Sequence, residues 1–197
     1  MTKENIILAA LRLFLLRGYK YVSLWDVALE AGITKGGIYH YFSGKEALLR
    51  AAMYYLFDRF EAKYAEVFSE TRTFQQILQA LLIDREPELF AQQLLGVEYE
   101  NYRLDLALFA LEIMKNFPEI HKRVEQGQAC IFALLEQRVQ GAMRKGELRS
   151  DLDSRAVTLM IFAMLNGQNA LDHLQFNTPD MRGQVLSNLW KLIKAAG

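Results

Sequence analysis

Residues 23–45 read SLWDVALEAGITKGGIYHYFSGK, and this stretch decides the fold. Ser23 can cap a helix through its hydroxyl, with Asp26 three residues on reaching back as a variant of the capping box. Gly32 ends that helix, because a glycine enters the left-handed conformation of a helix stop without a Cβ penalty. Thr34 caps a second, very short helix over Lys35 to about Tyr41. Ser43 and Glu46 have the spacing of a capping box that opens a long helix running through Leu49, Met53, Leu56, Phe60 and Tyr64. Ala28, Gly32 and Ile38 have the spacing of a helix-turn-helix: a small residue where two helices cross, a glycine in the turn and an apolar anchor beneath the second helix.

Such a unit can set the start of its second helix into the major groove of DNA, where Thr34, Lys35, Gly36 and Gly37 would meet base edges. Tyr39 and His40 can hydrogen-bond phosphate oxygens. Lys45 stands at the start of the next long helix, whose unpaired N–H groups carry positive potential. Ser23 and Trp25 complete the candidate DNA surface, although Trp25 also reads as a partly buried packing residue. Working back toward the amino end, a helix is expected over residues 3–17, with Ile7, Ala10, Leu11 and Phe14 on one stripe and Gly18 as its stop.

The 197 residues carry 23 Lys plus Arg against 23 Asp plus Glu, so a uniformly polycationic DNA binder is excluded while a local basic patch is not. Residues 1–60 hold eight basic and five acidic side chains, and the remainder 15 and 18, which places the modest excess in the head. Apolar types make up 52%, too many for a disordered chain. The single cysteine, Cys130, excludes an internal disulfide and reads as a buried small hydrophobe; a reducing, cytoplasmic setting is expected. Arg12 splits the apolar run of residues 6–16, which is therefore read as a helix of the mature protein and not as a signal peptide, and no run reaches the length of a membrane span. His40, His121 and His173 lack paired-ligand spacing, so neither a metal nor a cofactor is expected. No nucleophile with a positioned base and no phosphate loop argue for an enzyme.

Helix-period hydrophobicity continues at about 74–83, 86–95, 98–117, 118–144, 154–174 and 179–195, with Pro118 and Pro179 at helix starts. The expected fold class is all-α: an N-terminal three-helix helix-turn-helix domain, residues 1–46, joined through a long fourth helix to a helical body, residues 47–197.

Residues 7–14, Gly18-Tyr19, residues 23–28, Ala31-Gly32-Ile33-Thr34-Lys35-Gly36 and Ile38-Tyr39-His40-Tyr41-Phe42 with Lys45 resemble the DNA-binding domain of the TetR family of transcriptional regulators. A weaker likeness returns at Gly146-Glu147-Leu148-Arg149 and Asp151-Leu152-Asp153. The resemblance implies a homodimer that binds a near-palindromic duplex operator and is released by a small apolar or amphipathic ligand held in its C-terminal body. It also implies base-facing roles for Thr34, Lys35, Gly36 and Gly37, and backbone-contacting roles for Tyr39, His40 and Lys45. Trp25 departs from the family pattern, standing where many relatives have a basic or polar residue, and Gly37 stands where threonine is common. Specificity would then lean on Lys35, on close backbone approach at the glycines and on DNA shape.

In the body, Leu159, Met160, Ala163, Gly167 and Ala170 form a stripe with small residues that suits a partner helix, and the resemblance places the dimer contact there; the other reading is an intramolecular core face. Ile131, Leu135, Val139 and Met143 form a second stripe that packs within or between subunits. Phe162, Asn166, Asn169 and His173, facing Tyr64, Tyr99, Tyr102, Leu106, Phe109 and Ile113, are the candidate ligand pocket, with ordinary core as the competing reading of the aromatic wall. The alternative function is a helical interaction protein whose head has lost DNA binding.

Overall fold

The computed structural model describes the backbone of residues 3–96, 106–171 and 177–195, and the side chains of the same residues except 106–108 and 169–171. The described chain is helical: α1 (Lys3–Arg17), a 3-10 turn at Tyr19–Tyr21, α2 (Leu24–Glu30), α3 (Lys35–Tyr41), α4 (Lys45–Val67), α5 (Phe74–Leu82), α6 (Glu86–Leu95), α7 (Leu106–Asn116), α8 (Pro118–Arg144), α9 (Ser154–Leu171) and α10 (Pro179–Ile193). Among the described residues the only β pairing is an isolated bridge between Leu148 and Lys194.

The helix boundaries follow local chemistry. Gly18 stops α1 with φ 82°, its N–H donating to the Phe14 carbonyl. Ser23 accepts from the Asp26 N–H while the Asp26 carboxylate accepts from the Ser23 N–H, closing the capping box in both directions. At the other end of α2, Gly32 (φ 66°) donates to Leu29 and Ile33 donates back to Ala28, the paired bonds of a Schellman stop. Thr34 caps α3 as expected, and Pro179 opens α10 behind the N-cap Thr178. The fourth helix differs from expectation. It begins at Lys45, one residue later than a Ser43 cap requires, and Glu46 turns outward to pair with Arg50 one turn along the same helix instead of reaching back to Ser43.

The chain forms two compact units. The first comprises Met1–Phe60 and Leu89–Glu125. Its core includes Phe14, Leu11, Ile38, Leu48, Leu49 and Met53, with Phe109, Ile113, Phe117 and Ile120. The second comprises Glu61–Glu88 and Gln126–Gly197, with Phe74, Ile77, Leu78, Leu135, Val139 and Ile161 among its buried residues. In this unit the Glu147 carboxylate accepts the N–H of Phe74 at 2.8 Å, capping α5 from the turn between α8 and α9. The same turn holds the end of α10, through Arg149 N–H to Ile193 and Ala195 N–H to Glu147.

Two expectations about burial are corrected. Cys130 is exposed, because it lies on the outer side of α8 along with Ala129 and Ala133, whereas Leu135 and Val139 on the opposite side form the core. Trp25 is also exposed, since α2 buries Leu24, Val27 and Ala28 and leaves Trp25 and Leu29 on its other face.

Candidate nucleic-acid interface

Three short-range facts shape the surface of the head. Ile38 is fully buried and anchors α3, which leaves Thr34, Lys35, Gly36, Tyr39 and His40 on the exposed side. Thr34 accepts the N–H of Gly37 at 3.2 Å, so its hydroxyl oxygen is fixed at the helix start. Gly36 and Gly37 have negative φ, and a Cβ built on either would meet nothing closer than 3.5 Å. Neither backbone strain nor internal crowding requires glycine at these positions, and alanine would favour the helix by about 1 kcal/mol at each. Gly36 is exposed and Gly37 half-buried, and two glycines that the fold does not need leave the backbone open to close approach by something outside the chain.

The polar side chains around α3 are arranged by aromatic packing. Tyr19 stands edge-on to Phe14 at 5.3 Å and to Phe117 at 5.7 Å, tying the turn after α1 to the junction of α7 and α8. The Lys45 ammonium sits 4.3 Å from the centre of the Tyr19 ring and donates to the Lys20 carbonyl at 3.4 Å. Burial pushes the Lys45 ammonium below the ordinary lysine value, and the Asp26 carboxylate opposes that change. The Ser23 hydroxyl and N–H hold the Asp26 carboxyl below the usual range. His40 is exposed, with its ring edge-on to Tyr41 at 5.0 Å. The first unit thus brings the start of α4, the 3-10 turn and the start of α2 together around Lys45.

Against known proteins, residues 6–52 match the family described as bacterial regulatory proteins, tetR family. Residues 6–52 are therefore similar to the DNA-binding region of the TetR family. The chain is 30% identical over 125 residues to YuxN of Bacillus subtilis (strain 168), an uncharacterized HTH-type transcriptional regulator; the match covers 63% of the chain and 38% of that relative. It is 24% identical over 166 residues to the HTH-type transcriptional regulator UidR of Escherichia coli (strain K12), covering 84% of the chain and 79% of the relative. Its fold is that of Bacillus subtilis FadR, a transcriptional regulator solved in complex with stearoyl-CoA: TM-score 0.68, 20% identity, 95% of this chain and 97% of that one. These findings support a DNA-binding regulator, and the chain spans 38% of the length of YuxN and 79% of that of UidR.

The residues anticipated for a ligand pocket fall in different places. Phe109 and Ile113 are buried in the core of the first unit. Tyr64 belongs to the second unit, stacked on Phe68 at 6.0 Å, and burial together with the Glu88 carboxylate pushes its hydroxyl well above the ordinary tyrosine value. Phe162 packs edge-on against Phe132 at 5.5 Å. Asn166 is exposed and its amide donates to the Phe162 carbonyl of its own helix at 2.8 Å, so it is not a buried polar group awaiting a ligand. Tyr99, Tyr102 and His173 lie outside the described residues. Leu106 and Asn169 lie in described helices, but their side chains are outside the description.

The two apolar stripes also part company. Leu135 and Val139 have no exposed surface and Ile131 and Met143 pack against the same core, so this stripe serves the subunit itself. Leu159 and Met160 are exposed, as is Ala163, with Gly167 half-buried one turn on, while Val157, Thr158 and Ile161 bury the other side of α9. The side chain of Ala170 is outside the description.

Sequence reading missed Arg12. Its guanidinium donates through Nε to the Leu95 carbonyl at 2.8 Å and through a terminal nitrogen to Glu30 at 2.5 Å, joining α1, the end of α2 and the end of α6. Its one visible signal in the sequence was the break it makes in an apolar run.

Proposed function

We propose that this chain is a TetR-family regulator, a homodimeric repressor that binds a near-palindromic operator and is released by a small apolar or amphipathic molecule. The observation that carries the DNA-reading part is the pair Gly36 and Gly37, exposed and half-buried respectively, which follows Thr34 and Lys35 at the start of α3 without any demand from the fold. Base discrimination is assigned to Thr34 and Lys35 with backbone approach at the glycines, and placement on the phosphates to Tyr39, His40 and the start of α4 beside Lys45. Ser23 acts through its cap on α2.

Dimerisation follows from the reading task, since one short helix contacts too few base pairs and paired helices would bind half-sites about 34–36 Å apart. The exposed row Leu159, Met160 and Ala163 on α9 supports a partner helix there. The ligand reading is supported by stearoyl-CoA in the FadR neighbour and by the aromatic groups Tyr64, Phe68, Phe132 and Phe162 in the second unit. A ligand releases DNA only by binding two conformations of the dimer with different affinity. No helix among the described residues is long and apolar enough to cross a membrane, in keeping with a regulator that works in the cytoplasm.

The test is a mobility-shift titration of the full chain on the intergenic DNA beside its own gene, with an unrelated duplex as competitor. Retarded complexes that survive the competitor support the reading. A stable dimer without affinity for any duplex would instead favour an interaction protein with an inactive head.

A further inference from the structure

The head carries exposed aromatic residues at Tyr21 and Trp25, of which Trp25 belongs to the candidate DNA surface. Tyr21 is 83% and Trp25 56% exposed, on the segment that leads into and opens α2. A tryptophan presented in this way leaves a large apolar surface in water, which is unusual for the residue. The segment's location is fixed by Lys45, whose ammonium bonds to the carbonyl of Lys20, the residue before Tyr21, and lies over the ring of Tyr19. The aromatic pair is therefore continuous with the surface at the start of α4. Arg17, Lys20 and Lys35 are exposed on the same head, so the surroundings favour a polyanion over an apolar protein face.

We infer that Trp25, with Tyr21 beside it, lies against the sugar–phosphate backbone of the operator and positions the head through a neutral contact. The indole suits both parts of a nucleotide backbone: its ring packs on deoxyribose carbons, and its N–H donates to a phosphate oxygen. Such a contact releases no counterion, so its contribution to affinity does not fall with salt as a lysine contact does. At this position the head carries an attachment that persists at high ionic strength, beside the salt-dependent one at Lys45. The inference rests on the DNA-binding reading above.

The chain contains two tryptophans, so a Trp190→Phe variant makes Trp25 the sole indole reporter. Titrated with the operator duplex, Trp25 emission should shift to shorter wavelength and become protected from iodide quenching. Trp25→Ala should weaken operator binding on the order of tenfold, with the slope of log K against log salt unchanged. Lys45→Ala, at the phosphate-facing start of α4, should reduce the magnitude of that slope by about 0.9 for each head. A Trp25→Phe variant, which keeps a ring, should retain part of the affinity, and far-ultraviolet circular dichroism of each variant checks that the head is folded. Unchanged Trp25 emission at saturating DNA, or Trp25→Ala binding within twofold of the parent, would overturn the inference while leaving DNA binding intact. Emission that changes with protein concentration in the absence of DNA would overturn it in favour of a contact between copies. Failure of the parent chain to bind any duplex would remove both readings together.

Discussion

Replacing Arg12 by methionine keeps the apolar stem and removes the fork that joins three helices. The lost interactions are one charge-assisted bond to the Leu95 carbonyl and one ion pair with Glu30. About a third of each of the two charged side chains is exposed, 34% for Arg12 and 32% for Glu30, so the pair contributes only about 0.5 kcal/mol. The bond to the carbonyl contributes about 1.5 kcal/mol. Leu95 has no exposed surface, so this figure stands for the cost of leaving its carbonyl without a donor. The sum, about 2 kcal/mol, corresponds to a fall in melting temperature of roughly 4–8 °C for a chain of this length. Calorimetry measures the total, and a double-mutant cycle with Glu30→Gln should return a coupling of at most about 1 kcal/mol. Hydrogen exchange locates the effect: the Gly96 amide, bonded to the Gln93 carbonyl at 3.2 Å, should exchange faster in the variant. Arg12→Lys should recover little, because an ammonium cannot serve both acceptors in the fixed planar geometry of the fork. A melting point within 1 °C of the parent and unchanged exchange at Gly96 would refute the assignment of Arg12 as the link between α1 and α6.

Gly18→Ala should destabilise by about 1–3 kcal/mol by chemical denaturation, since φ 82° with ψ 143° is a conformation open in practice to glycine alone. Gly37→Ala, with an ordinary φ and 3.5 Å of clearance from Thr34, should instead leave the fold as stable or more so while weakening operator binding in the mobility-shift assay. The Asp26 carboxyl titrates lower in the fold than in the unfolded chain, so its contribution is present above its unfolded pKa and lost as pH falls through the folded one. The stability difference between the parent and Asp26→Asn should therefore be constant near neutrality and shrink as the pH falls below about 4, followed by denaturant titration at several pH values. Leu159→Lys with Met160→Glu should convert the dimer to monomer by light scattering with helix content retained, whereas Leu135→Ala should lower thermal stability by about 2–5 kcal/mol, as expected for a fully buried leucine.

Much of the head was legible because its signals are local. A serine or threonine before a helix, a glycine after it and an apolar anchor at fixed spacing act within a few residues, and the caps at Ser23 and Thr34 and the stops at Gly18 and Gly32 form as read. The Ser43–Glu46 box did not, because a competing local partner, Arg50, was available four residues along the same helix. Hydrophobic period also found the helices of the body, down to the prolines that open α8 and α10. It could not say which stripe faces inward, since periodicity reports that a helix has an apolar side and not what covers it. Leu135 and Leu159 look alike in sequence, yet one is sealed in the core and the other exposed.

The sequence alone determined the helical class, the helix-turn-helix and which of its residues stand on the exposed side of α3, because these depend on contacts between near neighbours. Tertiary structure alone decided that Cys130 and Trp25 are exposed, that Lys45 is held by Tyr19 and Lys20, that Glu147 caps α5 from 73 residues away and that Arg12 reaches Leu95 across 83. Each of these depends on where distant segments pack, and a charged or aromatic side chain carries no mark in the linear chain of which distant partner it will meet.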